Sequence, residues 1–208
     1  MLTSIKNIIF DLGGVVIDLD RERCVDSFTR IGFPEANTLI DSYHPVEFFN
    51  SLERGTLSVE EVCDKIREIA GKPITNSQIC EAYSDFLVEI PVYKLRMIEA
   101  LRQRGFKLMI LSNTNPIVFA KVLELFAADG KKMEDYFDAE NMYLSYQMGC
   151  LKPEDEIYEK LLADSGVVPA ETLFIDDSDR NIEVGAAHGL QVYLAAAHED
   201  FSHIFENL

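Results

Sequence analysis

Three short apolar runs, each halted by polar residues, constrain this chain more than any other feature. Ile8-Ile9-Phe10 runs into Asp11 and then Gly13-Gly14, the LMIL of 108–111 runs into Ser112-Asn113, and Leu173-Phe174-Ile175 runs into Asp176-Asp177. Runs this brief are too short for helices, and their unbroken apolar character fits strands buried on both faces. In a parallel sheet the carboxyl ends of such strands share one edge, where open α/β sheets hold their ligands. Asp11 alone reads equally well as the start of a turn. The doubled acid after a buried strand is harder to read that way, because it sets two charges at a sheet edge.

From residue 91 onward, helical and strand spacings alternate, the pattern of a parallel sheet with crossover helices. The spacing predicts helices over 91–104, after Pro116, after Lys152-Pro153 and over 179–189. It predicts strands over 106–111, 142–144, 172–175 and 192–194. Residues 20–90 read as helices with no convincing strand. Ser58 with Glu61, and Thr75 with Gln78, make capping boxes, Gly71 suits the position after a helix, and Pro34 and Pro45 suit helix starts. The expected architecture is α/β: a doubly wound parallel sheet built from 1–17 and 91–208, with a small helical cap inserted over 18–90.

Composition bounds the partners. Among 208 residues, 48% are hydrophobic and 26% charged, which suits an ordinary globular protein with ample core. The formal charge of −17, with Lys131-Lys132 as the sole adjacent basic pair, argues against nucleic acid and anionic membrane surfaces. Cys24, Cys63, Cys80 and Cys150 show no metal-type spacing, and no apolar stretch approaches a membrane span. A reduced, cytoplasmic protein is expected, with the cysteines as small core hydrophobes.

The strand ends carry the groups that phosphoryl chemistry needs. Clustered carboxylates repel one another, and a hard cation with oxygen ligands, such as Mg²⁺, relieves that repulsion. Ser112 and Asn113 can hydrogen-bond phosphate oxygens, and Lys152 offers a positive charge. Singly, Ser112 reads as a turn residue and Lys152 as a solvated lysine.

In order along the chain, IIFDLGGVVIDLD, LMILSNTN, GCLKPEDEIY and FIDDSDRNIEVGAAHGL resemble the four motifs of the haloacid dehalogenase superfamily of hydrolases. The resemblance covers nearly the whole chain and implies an aspartyl-phosphate mechanism with Asp11 as nucleophile. It implies Mg²⁺ held by Asp11, the Gly13 carbonyl, Asp177 and Asp176. Lys152, Ser112, Asn113 and the amides after Asp11, beginning with Leu12, would surround the phosphoryl oxygens. Asn181 would orient Asp177 or Lys152. The implied substrate is a small phosphorylated metabolite, and the implied assembly a monomer or homodimer.

One departure has chemical consequences. Many phosphatases of this family place a second Asp two residues after the nucleophile as general acid and base, and here that position is Gly13. The stretches DLGGVVIDLD, ERG (Glu53 to Gly55) and KPEDEIY resemble a branch that includes α-D-glucose-1-phosphate phosphatases and also lacks that Asp. Unless another group supplies the proton, easily departing groups such as those of sugar 1-phosphates should be favoured. Two other functions compete. Metal-free carbon–halogen hydrolysis uses the same nucleophile but is opposed by the acid pair, and a catalytically silent binding module is kept open by Gly13. Tyr43, His44, Phe48, Phe49 and Arg54 are candidates for facing substrate, although aromatics in a small cap more often form its core. His188 and His198 read as surface or helix-end residues.

Overall fold

The computed structural model describes residues 4–40, 47–128 and 130–206. Five strands form one parallel sheet: β1 (Asn7–Phe10), β4 (Lys107–Ser112), β5 (Met142–Leu144), β6 (Thr172–Asp176) and β7 (Gln191–Leu194). Their spatial order is β5-β4-β1-β6-β7, so β1 lies at the centre with β4 and β6 on either side. Phe10 pairs in register with both Ile110 and Ile175. The chain runs from β1 out through β4 to β5 on one side and then crosses to β6 and β7 on the other, so a crevice opens beyond the carboxyl end of β1. Ile8, Ile9 and Phe10 have no exposed surface, as expected of a strand covered on both faces.

The helices α6 (Val92–Gln103), α7 (Pro116–Ala127), α9 (Asp155–Ser165) and α10 (Asp179–Ala187) are the connections of this sheet. Local chemistry sets where they begin. The Asn115 side chain accepts from the N–H groups of Ile117 and Val118, with Pro116 at the first helical position. A four-residue turn of helix, α8 (Ser145–Met148), follows β5. The helix expected directly after Lys152-Pro153 begins at Asp155, a difference of two residues.

Between β1 and α6 lie α1 (Arg21–Arg30), α2 (Ala36–Leu39), α3 (Glu47–Glu53), α4 (Val59–Ala70) and α5 (Asn76–Ser84). Both capping boxes form, and Gly71 ends α4 in the left-handed conformation. One expectation fails here: residues 20–90 are not strand-free. Leu87–Glu89 forms β3, which pairs antiparallel with β2 (Asp18–Leu19). Strands of two and three residues are too short to impose an alternation on the sequence, and only their pairing reveals them. This ribbon carries the chain out to the helices and back. Its base is tied by Lys94, whose buried ammonium donates to Asp18 at 2.9 Å. Buried apolar residues of the helical insertion, such as Phe28 and Phe49, belong to one continuous cluster with Phe10 and Ile110 of the sheet.

Candidate active site

The backbone after β1 is folded over the strand end. Asp11 N–H continues the β1–β6 ladder by donating to the Ile175 carbonyl at 2.9 Å. The Leu12 carbonyl then accepts from both Val16 and Ile17, and Gly14 N–H donates to the Ile17 carbonyl. Gly14 sits at φ +76°, and a Cβ there would lie 2.2 Å from Asp177 Oδ2. Glycine is what lets the second acid of β6 come against this loop.

Around Asp11 the predicted residues converge. Lys152 Nζ lies 3.0 Å from Asp11 Oδ1 and donates to Asp176 Oδ2 at 2.6 Å. Asp176 Oδ1 accepts from Ser178 N–H and from Asn181 Nδ2, both at 2.9 Å. Asn181 thus braces Asp176, not Asp177 or Lys152 as expected: it lies one helical turn into α10, beneath the first acid of the pair. The Leu12 N–H donates to Asp11 Oδ1 at 2.7 Å, so together with Lys152 it fixes the orientation of that carboxyl.

Ser112 and Asn113 divide their tasks. The Asn113 side chain holds the backbone of Lys152 from both sides: its Oδ1 accepts from Lys152 N–H at 2.8 Å, and its Nδ2 donates to the Lys152 carbonyl at 2.9 Å. That amide side chain positions the lysine and is not directed at a phosphate. Ser112 is buried, and among the described residues its hydroxyl has only a long 3.5 Å contact to the Asn113 carbonyl, which leaves it able to turn to a ligand.

Three carboxyls share this space with one ammonium, and the ionisation of Asp11 and Asp177 shows the imbalance. Burial raises Asp11 to about 7, Lys152 opposes the rise, and Asp176 and Asp177 reinforce it. Asp177 is raised too, by burial and by Asp176. Lys152 keeps its proton beyond the ordinary range: burial works against the charge, but Asp11 and Asp176 outweigh it. One oxygen from each of Asp11, Asp176 and Asp177 can lie within 4.8 Å of the others. An all-oxygen set with excess negative charge fits a hard divalent cation and offers nothing to a soft metal.

Asp11, Asp177 and Lys152, with Asp176 buried behind them, floor a cleft of about 930 Å³, which Gly13 also lines. Its upper wall comes from the helical insertion. Phe49 stacks on Tyr83 with ring centroids 4.7 Å apart, and both rings line the cleft while forming the core of the insertion. Arg54 lines it as well but is paired with Glu154. Tyr43 and His44 lie outside the described residues. His188 caps α10 and pairs with Asp155, as a helix-end residue does. His198 is exposed but not idle, since it bonds Asp18 at 3.1 Å and lines the cleft. Glu53, at the end of α3, also faces the cleft. The sequence offers it only through the ERG resemblance, which assigns it no role, because one of two acids on a short helix shows no periodicity.

A crossover sheet with an acid-tipped central strand, a buried lysine and an acid pair on the neighbouring strand defines a class of hydrolase. The chain belongs to the haloacid dehalogenase-like hydrolases, whose family model matches residues 5–189. It is 39% identical over 190 residues to D-ribitol-5-phosphate phosphatase of Bacteroides thetaiotaomicron, covering 91% of each chain. A haloacid dehalogenase family enzyme from the same species, in complex with magnesium and inorganic phosphate, superposes with a TM-score of 0.90 at 42% identity. That match covers 97% of this chain and all of the other. A predicted hydrolase of the family from Porphyromonas gingivalis gives a TM-score of 0.89 at 36% identity, over 99% and 98% of the two chains.

Proposed function

We propose that this chain is a Mg²⁺-dependent phosphomonoesterase for small sugar or polyol phosphates, working through a phosphoryl group carried on Asp11. The observation that carries the reading is the convergence of Asp11, Asp176 and Asp177 on one buried lysine at the carboxyl end of the central strand. The similarity to a D-ribitol-5-phosphate phosphatase, and to a family enzyme with magnesium and phosphate bound, supports both metal and substrate class.

Asp11 and Asp177 would hold the cation, with the Gly13 carbonyl beside them and Asp176 completing the acid cluster. The cation supplies charge neutralisation at the transferring phosphoryl group and keeps Asp11 ionised. The protein's own groups do the rest. Lys152 and Leu12 N–H fix Asp11 so that a carboxylate oxygen faces the phosphorus. Attack forms the Asp11–phosphorus bond, and the ester oxygen leaves with its electron pair. Lys152 and the Ser112 hydroxyl balance charge on the phosphoryl oxygens. Water then attacks phosphorus, and the Asp11 carboxylate departs. Asp176, tied to Lys152 and held by Asn181 and Ser178, keeps the ammonium aimed at the reacting group.

We read residues 18–90 as a cap that closes over this floor and selects the substrate, with the β2–β3 ribbon as its stem. A screen of sugar and polyol phosphates, with Mg²⁺ and with excess chelator, tests the assignment. Hydrolysis of a subset in Mg²⁺ alone is expected. Full activity in chelator would favour metal-free chemistry instead.

A further inference from the structure

The sheet edge supplies a nucleophile, an ammonium and acids for a cation, but nothing to protonate the departing oxygen, because Gly13 has no side chain. We propose that Glu53, reaching in from the end of α3, is the general acid and base of this site. The inference rests on the phosphomonoesterase reading above.

Geometry places Glu53 apart from the acid cluster yet over the same floor. It lines the cleft together with Asp11 and Lys152, and among the described residues no donor bonds its carboxyl. Its backbone, by contrast, is pinned. The Glu53 carbonyl accepts from Ser145 Oγ at 2.7 Å, and the same hydroxyl oxygen accepts from Thr114 N–H at 2.9 Å. Arg54 pairs with Glu154 through both nitrogens of its fork, which neutralises that cation where it lines the cleft. Gly55 has φ +74°, and a Cβ there would lie 2.2 Å from the Tyr146 carbonyl oxygen, so the chain after Glu53 abuts the backbone of α8. Three consecutive residues thus lock the end of α3 onto the core, and among the described residues the Glu53 carboxyl stays unbonded in the cleft that Asp11 also lines.

The groups around it suit proton transfer. Burial and the Asp11 charge raise Glu53 to about 7 while Lys152 opposes them, and Tyr83, which also feels Glu53, stays protonated. The steps then balance. As Asp11 bonds to phosphorus, the phosphorus–oxygen ester bond breaks, and its electron pair takes the Glu53 proton to give a neutral alcohol. The Glu53 carboxylate then takes a proton from the water that attacks the aspartyl-phosphate, and it ends the cycle protonated.

The test compares wild-type protein and Glu53→Gln on a series of aryl and alkyl phosphates of graded leaving-group pKa, with Mg²⁺ present. For the wild type a shallow dependence of kcat/KM on leaving-group pKa is expected. In Glu53→Gln, alkyl phosphates should lose about 10²–10⁴-fold while nitrophenyl phosphate loses little, so that the slope steepens. The melting temperature should be unchanged, since among the described residues the carboxyl has no partner to lose. Equal loss on both classes would reduce Glu53 to a structural part. A raised KM with unchanged kcat would make it a binder of substrate hydroxyls. Either result overturns the proposal. A wild-type protein that hydrolyses neither class would instead overturn the phosphatase reading itself.

Discussion

A Cβ on Gly14 would stand 2.2 Å from Asp177 Oδ2, and the residue's φ of +76° is one that side chains rarely adopt. Both facts bear on the proposed cation site. Gly14→Ala must either push Asp177 outward or open the loop between Asp11 and Ile17. The backbone alone costs about 1–2 kcal/mol for a residue with a side chain in this region. The larger effect should fall on the metal. Displacing one ligand by its support typically weakens affinity about 10–100-fold. Titrating activity with Mg²⁺ should therefore show a raised half-saturation in Gly14→Ala. An unchanged Mg²⁺ requirement would separate Asp177 from the metal.

At the scale of elements, the β2–β3 ribbon depends on a buried ion pair. Lys94 is 1% exposed, and its partner Asp18 also accepts from His198. Burial works against the Asp18 charge, but the bonds from Lys94 and His198 hold its carboxyl below the usual range. A depressed carboxyl stabilises the fold above its unfolded value, near pH 4, and this contribution is lost as pH falls through the folded value. Asp18→Asn leaves Lys94 buried without a counter-charge and should cost towards the lower end of about 3–5 kcal/mol near neutral pH, because Asp18 keeps some exposure. The gap in melting temperature between variant and wild type should narrow as pH falls below 4. A gap that is constant with pH would mean that shape, not charge, is lost. Much at this scale is legible in the sequence, because capping boxes and apolar runs act locally: α4, α5 and the sheet strands follow from them. The ribbon, Lys94 and the place of Glu53 in the cleft are not legible, although the ERG stretch is, because each acquires its role only from partners far along the chain. Asn113 shows the same limit. Its position at a strand end is readable, but its grip on the backbone of Lys152 needs the fold.

Across the whole molecule, one apolar cluster runs from the sheet into the helical insertion, while the floor between them collects three carboxyls. The fold therefore concentrates negative charge in the crevice at its topological switch point. A cation binding there should stabilise the native protein as well as activate it, since the unfolded chain has no such site. Mg²⁺ should raise the melting temperature of the wild type, and Asp177→Asn should blunt that rise. No shift with Mg²⁺ in the wild type would argue that the acids serve Lys152 alone.

The proposed chemistry stands on Asp11 as the nucleophile that takes the phosphoryl group. The direct measurement is kcat/KM of Asp11→Asn with Mg²⁺ on the best substrate from the screen, alongside its melting temperature. An amide has the same shape but cannot attack phosphorus, so a folded variant should fall by more than about 10⁴-fold. A cooperatively melting Asp11→Asn protein that still turns over substrate at a substantial fraction of the wild-type rate would rule out Asp11 as the nucleophile.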